Sequence, residues 1–197
     1  MSEWWTYRLA DFLMFSPATY WRLVERYNRE LWPLQIAWLA AGAVLLWLVA
    51  RRTPQVGRVA AAALALAWLW VGWAFHGQRY AAINWAAPYL GAAFVLQSAM
   101  LAGTALLAKG DADGAGTGAR AVGLGLAAIG VLLYPVVAPA AGRPWAQAEV
   151  FGLMPEPTAL ATLGFLLATR LPHRAGLAVI PLLSLAVGLA TAWLLRS

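Results

Sequence analysis

The chain has 197 residues, 62% of them hydrophobic and only 11% charged, with a mean hydropathy of +0.67, too little polar surface for an ordinary soluble domain. Its net charge of +6 sits at the ends of apolar segments rather than in a basic block with interleaved aromatics, which excludes a nucleic-acid partner. With no cysteine, disulfides, thiolate metal sites and thiol catalysis are excluded as well.

Several apolar runs reach or approach the about 20 helical residues that cross about 30 Å of hydrocarbon. They predict an all-α polytopic membrane protein whose first partner is the lipid bilayer: six transmembrane helices preceded by an amphipathic interfacial segment, residues 1–32. The opening "MSEWWTYRLADF" lacks the basic start, apolar core and cleavage site of a signal peptide.

Within residues 1–32, Ser16-Pro17 predicts a helix start, a capping hydroxyl followed by a first-turn proline. Tyr20, Val24, Tyr27 and Leu31 then recur at helical spacing, with Arg22, Glu25, Arg26 and Arg29 on the other side. Glu25 stands four before Arg29, the favourable order for an ion pair. Trp4, Trp5, Trp21 and Trp32 suit the headgroup layer. The segment reads as an interfacial anchor or as a collar over a pocket.

The bundle, residues 33–197, divides into spans near 33–50, 58–76, 83–108, 119–139, 157–170 and 174–195. Small residues in the second, fourth and sixth spans predict close helix approach, and would permit a homo-oligomer. "GLGLAAIG" in the fourth has no strand before it and is a packing stripe, not a dinucleotide fingerprint. Lysines and arginines divide equally between the two faces, but the two short loops beside the N-terminal face carry only Arg79 and Arg143, which predicts both termini outside. An even span count puts residues 1–32, the second–third loop and the fourth–fifth loop on one face.

The fifth span carries the candidate site. From Pro157 to Arg170 it has 14 residues, about 21 Å of helix against about 30 Å of hydrocarbon. Its leading edge, "AEVFGLMPEP", must therefore dip into the bundle, where irregular backbone survives only inside protein or beside a water-filled cavity. Pro157 fits the first helical position, with Glu156 at the positive end of the helix dipole. Thr158 and Thr162 share one face. Either Glu156 merely caps the helix, or it and Glu149 face a cation or exchange protons in a polar pocket. His76 and Asn84 flank the loop on the same face. His76 reads as a titrating group, a metal ligand or an interfacial hydrogen-bonder, and Arg79 as a partner for Glu149 or Glu156. Gln97, in the middle of the third span, reads as a substrate- or ion-binding amide or as an interhelical hydrogen-bonder.

"YNRELWPLQ", "INWAAPYLGAAFVLQ" and "EVFGLMPEPTALATLGFLL" together resemble a family of small bacterial multi-pass membrane proteins known only as a domain of unknown function. The resemblance spans most of the chain and is sharpest at proline–X–proline–threonine followed by "TLG". In that family X is often cysteine, which hints at soft metals. Here X is Glu156, so no thiolate role carries over. The resemblance implies a six-helix fold in a bacterial plasma membrane and no activity or cofactor. Three functions then stand open. The first is a small transporter or channel for an ion or small solute, with Glu156 as the charged ligand and Thr158, Thr162, Asn84 and His76 supplying polar contacts. The second is a non-transporting accessory or substrate-binding subunit. The third is a membrane enzyme using Glu149, Glu156 and His76 as acid and base, for which the chain offers no nucleophile motif, phosphate loop or paired histidines.

Overall fold

The computed structural model describes residues 15–107, 116–169 and 171–195. The expectations for Trp4 and Trp5, and the loop charges Arg8, Lys109, Arg170 and Arg196, lie outside the described residues. Helix α1 is Pro17–Glu30 and α2 is Leu34–Arg51. Helix α3, Val56–Trp70, runs on as a π-helical stretch, Val71–Gly77. After a single turn at Tyr80–Ala82 comes α4, Ala87–Leu107. Helix α5, Thr117–Ala128, continues through a π stretch, Ile129–Leu133, and a tight turn into the short α6, Val137–Ala140. Helix α7 is Pro155–Ala168 and α8 is Arg174–Leu194.

Five helical runs among the described residues are long and apolar enough to cross a membrane: Leu34–Arg51, Val56–Ala82, Ala87–Leu107, Thr117–Ala140 and Arg174–Leu194. They fall where the apolar runs placed them. The start of α4 is shifted inward, because Asn84 Oδ1 accepts from the Ala86 N–H at 2.9 Å and holds residues 83–86 in a turn. The sixth helix, α7, has 14 residues, about 21 Å. It starts at Pro155, two residues before the expected Pro157, with Met154 as an extended cap residue, so Glu156 lies in the first turn. The six long elements touch in a ring, α2–α3–α4–α8–α7–α5 and back to α2, and α3 also meets α7 across it.

Helix α7 is the most enclosed element: ten of its fourteen residues are buried, against three of twenty-one in α8. Its tightest contact is with α5. A Cβ on Gly123 would come 2.5 Å from the Ala168 backbone nitrogen, one on Gly130 would come 2.6 Å from that of Ala161, and one on Gly164 would strike Ala127. The glycines of the fourth span therefore let two backbones touch inside one chain. The outer faces of α2, α4 and α8 carry large exposed apolar side chains such as Trp47, Leu96 and Leu183, as lipid-facing helices do.

Helix α1 starts as its sequence predicts: Ser16 Oγ accepts from the Thr19 N–H at 3.2 Å. The Glu25–Arg29 pair forms at 2.6 Å, and Arg26–Glu30 forms beside it at 2.7 Å. Its apolar stripe is turned to protein, not to lipid. Tyr20, Val24 and Tyr27 are buried, Tyr27 against Phe75 and Tyr20 against Tyr80. Asn28 Nδ2 donates to the Ala146 and Ala148 carbonyls at 2.9 and 2.8 Å. Thus α1 lies over the π-helical end of α3 and over the segment leading into α7.

Candidate functional site

The approach to α7 is buried. From Ala148 through Pro155 the chain has left the surface, with Glu149 only 7% exposed. Gly152 adopts a positive φ of 78° there, a conformation that glycine reaches without strain. The Gly152 N–H donates to Thr158 Oγ1 at 2.9 Å, and that hydroxyl donates to the Met154 carbonyl at 2.7 Å. Thr162 donates to the Thr158 carbonyl at 2.7 Å and accepts from Trp68 Nε1 at 2.8 Å. Both threonines share a face, as their spacing requires, but their hydroxyls are committed inside the bundle. They anchor the irregular backbone and are not among the residues that line the cavity beside it.

Beside this start is a cavity of about 30 Å³, whose walls include Tyr20, His76, Tyr80, Glu156, Ser184 and Gly188. A water needs at least about 10–15 Å³ of such space, so it has room for about two. Glu156 is on the first turn of α7, and its Oε2 is sealed from solvent without a hydrogen-bond partner among the described residues. Gly188 makes the space: a Cβ there would come 2.5 Å from Glu156 Oε1. His76 stands on the π stretch after α3, is 3% exposed, and neither ring nitrogen has a partner. A π turn widens the helix and re-aims its side chains. This one packs on α4 where Gly72 and Gly91 bring the backbones together, seating the His76 ring on Phe94 with centroids 4.6 Å apart.

The other expected site residues lie elsewhere. Arg79 pairs with Glu30 on α1 at 2.5 Å, not with Glu149 or Glu156, because α1 brings its carboxylate over the loop. The hydrogen bond from Arg26, with the charge of Arg79 behind it, holds the Glu30 carboxyl below its ordinary value. Asn84 Oδ1 serves its own turn, and its side chain also meets the Tyr80 hydroxyl behind the cavity wall. Gln97 Nε2 crosses from α4 to the Leu177 carbonyl of α8 at 2.9 Å. Glu149 faces Arg143 at 3.9 Å, and the Arg143 guanidinium lies 3.5 Å over the Trp21 ring. Burial pushes the Glu149 carboxyl above its ordinary value and the charge of Glu156 adds to this, while Arg143 opposes both. Of the expected set, His76 and Glu156 share the cavity wall; Glu149 lies within electrostatic reach of Glu156.

Residues 18–196 match the model of DUF6064, a family of unknown function. The chain belongs to that family. No curated protein matches it, and no solved structure does. In this DUF6064 chain the residue between the two prolines of α7 is thus the acid at the cavity. Reading the sequence alone missed Tyr20, Tyr80, Ser184 and Thr191 as walls. One signal was present in "SLAVGLAT": Ser184, Gly188 and Thr191 recur at i, i+4 and i+7, a small polar stripe on one face of an otherwise apolar helix. Among the described residues no three His, Asp or Glu side chains come together as metal ligands.

Proposed function

We propose that this chain is a small membrane transporter or channel for an ion or small solute, and that Glu156 is its charged ligand. One observation carries the reading: a carboxylate oxygen buried without a hydrogen-bond partner, on the wall of a cavity that also holds His76. Burying an ionisable group among apolar helices is costly, and such residues mark ion and substrate paths. Gly188 supports the same reading, since it leaves space where any other residue would press on the acid. Helix α1 serves as the collar, its Tyr20 forming part of the wall.

The test is flux. Full-length protein in liposomes would be assayed with protons, sodium, potassium, chloride and methylammonium as the panel. The wild type should move at least one of them, and Glu156→Gln should abolish that movement without altering the melting temperature. Gly188→Ala should reduce it. Unchanged flux in Glu156→Gln would remove the pocket from the path. A wild type that moves nothing and purifies with a fixed second protein would favour the accessory-subunit reading.

A further inference from the structure

We propose that the species held in the α7 pocket is a proton, shared between the Glu156 carboxyl and the His76 imidazole. This rests on the pocket reading above and narrows it to one ion. The cavity, at about 30 Å³, has room for about two waters, which excludes an organic solute as the occupant of this state. A hard cation takes several oxygen ligands and a soft one wants thiolates or several imidazoles. Around the single acid and single imidazole, much of the wall is Phe75, Phe94, Leu90 and Val187. The site thus combines one acid, one base and space for the water that would link them, with the Ser184 and Thr191 hydroxyls able to orient it.

The groups around Glu156 fit this assignment. Tyr20 on α1, Tyr80 after α3, Tyr134 after α5 and Glu149 on the approach to α7 all lie within its electrostatic reach. Arg143 faces Glu149. The wall residues from α4 and α8 carry no titratable side chain. Among the described residues no arginine or lysine forms an ion pair with Glu156. A negative charge that no fixed cation balances in so apolar a site calls for a mobile one. In the exchange, His76 takes a proton from a hydronium ion, leaving water, and becomes imidazolium. It passes that proton through an intervening water to the Glu156 carboxylate, leaving neutral imidazole and carboxylic acid. The carboxylic acid then releases it to water, so one proton enters, one leaves, and no other reactant is consumed.

Full-length protein would be reconstituted in potassium-loaded liposomes with pyranine trapped inside, and an inside-negative potential set with valinomycin. Wild type should acidify the interior at the same rate in sodium and in choline buffer. Glu156→Gln should lose at least tenfold of the rate, and Glu156→Asp should keep part of it. Infrared difference spectra of the wild type should show a carboxylic-acid band appearing on acidification, absent in Glu156→Gln. Glu156-dependent sodium or potassium uptake without acidification would overturn the proton assignment and leave the pocket reading standing. No Glu156-dependent movement of any ion would overturn both. A wild-type spectrum lacking the carboxylic-acid band at every pH where the protein stays folded would overturn the assignment independently of whether the variant folds.

Discussion

Pro181 has no N–H to give, so the Leu177 carbonyl, four residues earlier in α8, lacks its helical donor. Gln97 on α4 fills the gap through Nε2 at 2.9 Å. Leaving a buried carbonyl bare costs about 1–3 kcal/mol, so Gln97→Leu should destabilise by roughly that amount. Pro181→Ala restores the missing N–H, and Gln97→Leu should then be neutral or favourable, because Gln97 Oε1 is itself buried without a partner. Four melting curves in detergent decide it, and equal costs of Gln97→Leu in both backgrounds would sink the account. That Gln97 crosses between helices was legible from one amide at mid-span. Its acceptor was not, since the partner lies 80 residues away. Thr158 and Thr162 show the same limit. Their spacing fixed a shared face, but only packing could say that the face meets Gly152 and Trp68.

At the level of elements, apolar run length located the five long helices and the short α7, because hydrocarbon thickness constrains length directly. The π stretches at Val71–Gly77 and Ile129–Leu133 were not legible. A π turn answers to neighbours in space, and it is the element that carries His76. The start of α7 was placed two residues late for a local reason: either proline of "PEP" satisfies the first turn, where no N–H is needed. The glycines of α5 separate by face. Gly123 meets the α7 backbone, whereas Gly125 has open space beside it. Gly123→Ala should therefore destabilise, by about 1–3 kcal/mol for overpacking against unyielding backbone. Gly125→Ala should stabilise by about 0.5–1 kcal/mol, the gain of alanine over glycine in a helix. Thermal melts of the two variants check this, and the same sign for both would mean that α5 and α7 are not in backbone contact.

Over the whole molecule, α1 holds two connections together. Arg79 reaches Glu30 from the α3–α4 loop, while Gln147 and Ala148 on the approach to α7 reach Glu25 and Asn28. This clamp keeps the acidic approach to α7 buried, and the burial has a pH consequence. Glu149 has its carboxyl raised above 4.5 by burial and by Glu156, against the pull of Arg143. Unfolding returns it to its ordinary value, so above 4.5 the folded protein binds more protons than the unfolded chain. Glu149 therefore favours the fold at low pH, and that contribution is lost as pH rises from the ordinary carboxyl value through the raised one. Melting temperature in detergent should fall between about pH 5 and about pH 8 for this reason. Glu149→Gln should flatten the fall, because the amide keeps the shape of the neutral acid and does not titrate. Arg143→Leu should steepen it, by removing the cation that opposes the shift. If Arg143→Leu flattens the profile instead, the buried charge at Glu149 is not what ties stability to pH, and the clamp has been assigned the wrong consequence.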